Sequence, residues 1–126
     1  MQHKRILIFD EYGFARVCSA FLESAGYEAE IATTLDGLPP ALNYQKSGLI
    51  ITSYPFGAPL FEEIKKRGIS TIILSDDFDE NLVTTLKEFN NSYCMMKPLD
   101  YEKFRSLVRQ VMSGELNTQG GCHFVV

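Results

Sequence analysis

Three runs of apolar residues, each ending in a polar side chain, constrain the fold of this chain more than any other feature. They span Arg5–Asp10, Leu49–Thr52 and Thr71–Ser75. A strand with one face in water alternates apolar and polar residues, whereas a strand buried on both faces is apolar throughout. Strands of the second kind belong to parallel sheets that are covered by helices on both sides. The runs therefore predict an α/β domain with a buried parallel sheet.

Segments with helical spacing of apolar residues separate these runs. The predicted helices cover roughly 14–25, 36–46, 60–68, 82–89 and 100–112, and two weaker strands are predicted at 27–32 and 93–96. Gly26 and Gly68 favour helix ends, and Asp100 is a typical helix N-cap. Five strands that alternate with five helices predict a three-layer fold with right-handed crossovers.

Length and composition indicate one domain followed by a short tail. With 126 residues, of which 45% are hydrophobic and 22% are charged, the chain can bury a core without disulfides or metal. We expect residues 1–113 to form the domain, and the glycine-rich, polar residues 114–126 to form a C-terminal tail or the start of a linker. The apolar end of that tail, Cys122–Val126, is expected to be disordered or to dock on a neighbouring molecule.

Charge and cysteine usage bear on partners and location. The chain has 12 Lys and Arg against 16 Asp and Glu, and its net charge of −4 argues against direct binding to nucleic acid. No apolar run could span a bilayer, and the first run ends at Asp10, unlike a secretory signal. Cys18, Cys94 and Cys122 lack metal-ligand spacing and suit a reducing cytoplasm. We interpret Cys18 and Cys94 as small buried residues.

The carboxyl ends of the predicted strands carry polar residues that could form one site. Asp10 and Glu11 follow the first strand, Ser53 the third and Lys97 the fifth, while Ser75 closes the fourth. Ligands of open α/β sheets bind at this edge, where acids could hold Mg²⁺ and a lysine could hold an anionic oxygen. Each residue also has a simpler interpretation, as a helix N-terminal acid, a turn cap or a solvated lysine. Their combination, in this order, favours a common site.

The segments ILIFDE, LIITS, TIILS and MMKPLD resemble the four signature segments of receiver domains of two-component response regulators. The resemblance covers about residues 4–113 and implies a flavodoxin-like sheet of five parallel strands in the order 2-1-3-4-5 with five helices. It implies a Mg²⁺ site at Asp10 and Glu11, a phosphoryl oxygen oriented by Ser75, and a phosphoryl group contacted by Lys97. It also implies a cis peptide bond between Lys97 and Pro98.

Two positions depart from the family pattern. Ser53 stands where the acceptor aspartate should be, and a serine hydroxyl can neither form an acyl phosphate nor act as an anionic metal ligand. Any Mg²⁺ binding should therefore be weak, and Lys97 should pair with Asp10 or Glu11 instead. The aromatic switch residue of the family lies three positions before the lysine, where this chain has Cys94, with Tyr93 one place earlier. Either the fifth strand contains a bulge or the aromatic switch is absent.

These departures favour a degenerate receiver, a non-enzymatic binding or dimerisation module of two-component signalling that needs no aspartyl phosphorylation. The resemblance implies a protein partner, namely a histidine kinase, another receiver or an output domain. It also implies a possible homodimer through the last helix pair and the fifth strand, and no cofactor beyond weak Mg²⁺. Two alternatives stay open: a receiver phosphorylated at a non-standard residue such as Ser53, and a small-ligand or phosphoryl-transfer enzyme on the same fold. The enzyme alternative lacks a glycine-rich phosphate loop after the first strand.

Overall fold

The computed structural model of the chain describes residues 5–32, 47–89, 91–97, 99–114 and 122–125. Within these ranges the elements are β1 (Arg5–Phe9), α1 (Tyr12–Ser24), β2 (Ala29–Ile31), β3 (Ser47–Tyr54), α2 (Phe61–Arg67), β4 (Thr71–Ser75), α3 (Glu80–Leu86), β5 (Ser92–Met96), α4 (Tyr101–Ser113) and β6 (Cys122–Val125). A short 3₁₀ turn, Ala58–Leu60, precedes α2. The helix predicted at 36–46 and the peptide bond to Pro98 lie outside the described residues.

The strands form one parallel sheet in the order β2-β1-β3-β4-β5-β6. The predicted order 2-1-3-4-5 is confirmed, and a sixth strand is added to it. β6 pairs with β5 of its own domain, from Ser92↔Cys122 to Met95↔Val125. The expectation that this end is disordered or docks on a neighbouring molecule is therefore wrong. The edge of β5 offers backbone donors and acceptors, and a short β-prone segment can satisfy them.

Helices cover both faces of the sheet, which explains the uninterrupted apolar runs. Along β1, Ile6 and Ile8 point to one face, and Leu7 and Phe9 point to the other. The first face packs against α1 and α4, and the second packs against α2 and α3. The fully buried helix residues on the first face are Ala15, Cys18, Leu22, Phe104 and Val108. With both faces buried, the C-terminal edge of the sheet is the place where polar side chains from several strands can meet.

Local capping fixes the last helix, which packs beside that edge. The side chain of Asp100 accepts hydrogen bonds from the backbone N–H groups of Glu102 and Lys103, as the sequence predicts. Gly114 ends the helix with φ of 77°, a left-handed conformation that glycine adopts without steric cost. In the described part of the chain, no helix is long and apolar enough to cross a membrane.

Candidate functional site

Strand register brings three of the predicted site residues together at the C-terminal edge. Phe9 pairs with Thr52, so Asp10 and Ser53 follow at the same level of neighbouring strands. Ser75 pairs with Met96, which places Lys97 one residue beyond the end of the sheet. The backbone N–H of Lys97 donates to the carbonyl of Ser75 at 2.8 Å and continues the ladder past β5. The site therefore rests on regular strands rather than on a loop.

Asp10 is the centre of the site, and its carboxylate is fully buried. Its Oδ1 accepts a hydrogen bond from Ser53 Oγ at 2.7 Å and another from the backbone N–H of Glu11 at 2.8 Å. Its Oδ2 lies 3.2 Å from Lys97 Nζ. A buried carboxylate needs hydrogen-bond donors and a counter-charge to stay ionised. Both oxygens of Asp10 have such partners within the chain itself.

Lys97 is held by two interactions, and its side chain is 21% exposed. Its ammonium forms the ion pair with Asp10 and lies 4.3 Å from the centroid of the Phe14 ring. An aromatic face attracts a cation through its quadrupole. Phe14 is a site residue that the sequence places only within the first predicted helix, at 14–25. Its position in the first turn of α1, four residues after Asp10, is the signal that could have indicated it.

A tight turn packs Ser53 against β1. Thr52 Oγ1 donates to the carbonyl of Phe9 at 2.7 Å, and the N–H of Gly57 donates to the carbonyl of Ser53 at 2.6 Å. A side chain at Gly57 would run into Thr52, so only glycine fits at this point of the turn. Phe56 lies against Phe9, with ring centroids 4.9 Å apart. Ser53 is consequently 4% exposed.

Glu11 and Ser75 lie at the margin of the site. The Glu11 side chain is exposed, and the residue contacts Asp10 through its backbone. The Ser75 hydroxyl donates to the carbonyl of Asp77 at 2.6 Å and accepts from the N–H of Asp77 at 3.2 Å. Ser75 thus closes a local turn, one of the interpretations that the sequence left open. The roles predicted for these two residues at a phosphoryl group remain predictions.

Beside Ser53 lies a cleft of about 220 Å³. Its lining residues are Glu11, Ser53, Tyr54, Pro55, Phe56, Leu74, Ser75, Asp76 and Lys97. The cleft combines aromatic walls with two exposed acids and one lysine. Among the described residues, no group of three or more histidine, cysteine or acidic side chains could hold a metal ion.

The two residues near the predicted switch position point to opposite faces of the sheet. β5 pairs with β4 without a register shift from Ser92 to Met96, so the bulge that the sequence allowed is absent from this strand. Cys94 is fully buried on the face of α2 and α3. Tyr93 lies on the face of α1 and α4, where its ring stacks on His123 at a centroid distance of 6.0 Å. A cysteine therefore occupies the position three residues before Lys97.

Cys18 and Cys94 are buried, as the sequence predicts. The pKa of Cys18 rises from 9.0 to about 12, mainly because the thiol is buried and also because of the negative charge of Asp10, while the charge of Lys97 acts in the opposite direction. Cys18 therefore remains a neutral thiol beneath the site.

Comparisons with known proteins find matches to the fold of the chain, whereas comparisons of its sequence find none. No family profile matches the chain, and no curated protein is a significant match. Solved structures do match. A two-component response regulator from Clostridium difficile superposes with a TM-score of 0.77 at 18% identity, over 92% of this chain and 100% of that one. A response regulator receiver protein from Pseudomonas putida superposes with a TM-score of 0.74 at 26% identity, over 87% of this chain and 98% of that one.

The chain has the fold of a response-regulator receiver domain. A third similar structure is the beryllofluoride-activated receiver domain dimer of NtrC4, with a TM-score of 0.72 at 19% identity, over 89% of this chain and 98% of that one. Within this receiver fold, Asp10, Ser53 and Lys97 converge at the edge where the resemblance places its phosphoryl site.

Proposed function

We propose that the chain is a pseudo-receiver, a protein-interaction module that works without aspartyl phosphorylation. The observation that carries this proposal is the hydrogen bond from Ser53 Oγ to the buried carboxylate of Asp10 at 2.7 Å. At this position the resemblance requires a carboxylate that attacks a phosphoryl group. A hydroxyl that donates to a neighbouring aspartate cannot form an acyl phosphate, so the phosphorylation chemistry implied by the resemblance has no acceptor.

The interactions of Asp10 also argue against a strong Mg²⁺ site. A hard cation requires free carboxylate oxygens, and both oxygens of Asp10 accept hydrogen bonds. A bound Mg²⁺ would have to displace Lys97, whose positive charge opposes a second cation nearby. Glu11 would have to turn inward from an exposed position. We therefore infer that the dissociation constant for Mg²⁺ is above about 1 mM.

A module without phosphorylation must act through its surface. The partners consistent with the fold are a histidine kinase, another receiver or an output domain. A second copy of the chain is also consistent, because the similar NtrC4 structure is a receiver domain dimer. Tyr101, at the start of α4, is 37% exposed and offers an aromatic anchor beside the last helix pair. The edge of β5, which the sequence analysis included in this surface, is covered by β6.

The test is incubation of the wild-type protein and the Ser53→Asp variant with acetyl phosphate and Mg²⁺, followed by intact-mass measurement. We expect the wild type to gain no phosphoryl group. The variant shows whether the short turn after β3 allows the reaction once a carboxylate is present. Hydroxylamine-sensitive labelling of the wild type would contradict the proposal by revealing another acceptor carboxylate. Hydroxylamine-resistant labelling mapped to Ser53 would instead support a receiver phosphorylated on serine.

A further inference from the structure

The added strand β6 covers the sheet edge that β5 would otherwise present. Four of the five residues of β5 pair with it, from Ser92↔Cys122 to Met95↔Val125. His123 stacks on Tyr93, and Val125 packs against the core on the face of α1 and α4. Tyr93 and Met95 are each 4% exposed in this arrangement. Without β6, β5 would become an edge strand.

The residues of β5 indicate what such an edge would bind. The strand Ser92–Met96 contains no charged residue, and charged side chains are a common protection of edge strands against pairing. A second copy of the chain presents the same edge. Antiparallel pairing of two β5 strands about a two-fold axis would satisfy both rows of backbone groups at once. A second copy is therefore the occupant that matches this edge by its own symmetry.

We propose that residues 122–125 form a strap, docked on β5 of their own chain, which prevents two copies from pairing through β5. Release of the strap exposes the edge and converts the monomer into a dimer. This inference rests on the proposed interaction function and names its regulation. The strap is a competitor for the edge because it uses the backbone groups of β5 that a second copy would use.

The short connection between α4 and the strap decides the competition at ordinary concentrations. α4 ends at Ser113 and the strap begins at Cys122. A segment tethered through a short linker competes at an effective concentration on the order of 1 mM. A second copy at micromolar concentration therefore loses to the strap, and the chain is monomeric. If the strap is open in at most about 10% of molecules, a permanently open variant should dimerise with a dissociation constant at least about 100-fold lower, because both copies must be open.

A pair of prolines in the strap provides the open state. Consecutive N–H groups of a strand point to opposite sides, so one of the two N–H groups of residues 123 and 124 points to β5. The double substitution His123→Pro/Phe124→Pro removes both N–H groups and therefore removes this donor. The matched control is His123→Ala/Phe124→Ala, which retains both N–H groups. In sedimentation velocity, the proline variant should be dimeric at concentrations where the wild type and the alanine variant are monomeric. Hydrogen exchange at Tyr93–Met95 should be faster in a monomeric sample of the proline variant, which reports release of the strap.

A disulfide provides the closed state. Met95 and Val125 are paired in register, and neighbouring strands lie about 4.8 Å apart, within the range that a disulfide spans. The variant Met95→Cys/Val125→Cys, made on a Cys122→Ser background, should form its disulfide within one chain under oxidised glutathione. It should then stay monomeric even at about 1 mM, where the wild type begins to dimerise. This comparison decides the question if the proline variant does not fold.

Three results would overturn the proposal. The first is a proline variant whose β5 amides exchange rapidly while it stays monomeric. The second is unchanged protection of these amides in a monomeric sample of the proline variant. The third is an oxidised closed variant that dimerises as well as the wild type, which would place pairing on another surface, such as the outer edge of β6. Phosphoryl labelling of the wild type would end the pseudo-receiver proposal but would not change these outcomes, since sedimentation and hydrogen exchange involve no phosphate.

Discussion

Replacing Ser53 by aspartate should convert the central hydrogen bond of the site into a repulsion. Ser53 Oγ donates to Asp10 Oδ1 at 2.7 Å, and Ser53 is 4% exposed. An ionised aspartate has no proton to donate, so the variant loses this bond and places a second carboxylate beside a buried one. Lys97, at 3.2 Å from the other oxygen of Asp10, can compensate one of the two charges.

The expected loss of stability follows from two contributions. A hydrogen bond to a charged group contributes about 1.5–3 kcal/mol, and a buried acceptor that loses its donor has no water to replace it. Two charges 4 Å apart at an effective dielectric constant of 20 repel by about 4 kcal/mol, most of which attraction to Lys97 offsets. We therefore expect the free energy of unfolding to fall by about 2–4 kcal/mol at pH 7. At about 4 °C per kcal/mol for a chain of this size, the melting temperature should fall by about 8–16 °C.

The assay compares Ser53→Asp with Ser53→Asn in thermal and urea unfolding, with and without millimolar Mg²⁺. The asparagine amide can donate to Asp10 and has the size of aspartate without its charge, so the difference between the variants reports the repulsion together with the lost hydrogen bond. Protonation of either carboxylate removes the repulsion, so the destabilisation of the aspartate variant should be smaller in acid than at pH 7. Mg²⁺ should restore most of the loss in the aspartate variant only. Equal stability of both variants, unaffected by Mg²⁺, would refute the placement of Ser53 beside Asp10.

Three further predictions concern the neighbours of the site and the sheet edge. Lys97→Met leaves the charge of Asp10 buried without its counter-ion and should lower the free energy of unfolding in urea by about 2–3 kcal/mol. Adding Asp10→Asn to this variant should recover more than half of that loss. Additive effects of the two substitutions on the free energy of unfolding would contradict the coupling of Lys97 with Asp10. Deleting 122–126 should lower the melting temperature by about 4–8 °C because the β5 ladder and the packing of Val125 are lost, and an unchanged melting temperature would show that β6 contributes nothing. Because the pKa of Cys18 rises from 9.0 to about 12 on folding, the free energy of unfolding should decrease as the pH rises above 9.0. At neutral pH, an alkylating reagent should label Cys18 only after denaturation, as measured by mass spectrometry.

Local sequence patterns predicted the strands that are buried on both faces and missed β6, which forms by pairing with the edge of β5. β1, β3 and β4 are apolar at consecutive positions because helices cover both of their faces. Even there the boundaries moved, since β3 spans Ser47–Tyr54 rather than 49–52. β6 has four residues and follows a glycine-rich stretch. It forms a strand because it pairs with the edge of β5. This edge is distant in sequence, so the local pattern of residues 122–125 does not indicate the pairing.

The convergence of Asp10, Ser53 and Lys97 could be predicted because parallel strands end at a common edge. The orientation of the Ser75 hydroxyl could not be predicted from the sequence. A serine after a strand can reach the rim of the sheet or bond to the backbone two residues later, and these choices differ little in energy. The structure has the second, with Ser75 bonded to Asp77. The contact of Lys97 with Phe14 could not be predicted either, because it depends on how the Lys97 side chain reaches from the end of β5 to the start of α1.

The proposed pseudo-receiver function predicts that the buried charge of the site is balanced without a metal ion. The resemblance implies three carboxylates around one lysine, an arrangement whose excess negative charge needs a cation. Here Ser53 replaces one carboxylate and donates a hydrogen bond, Lys97 neutralises Asp10, and the exposed Glu11 is screened by solvent. Both oxygens of Asp10 then have partners within the chain, and we expect the site to keep its geometry without Mg²⁺ or phosphate. The proposed pseudo-receiver would change state at its surface instead, and the β5 edge beneath β6 is the surface that we propose for this change.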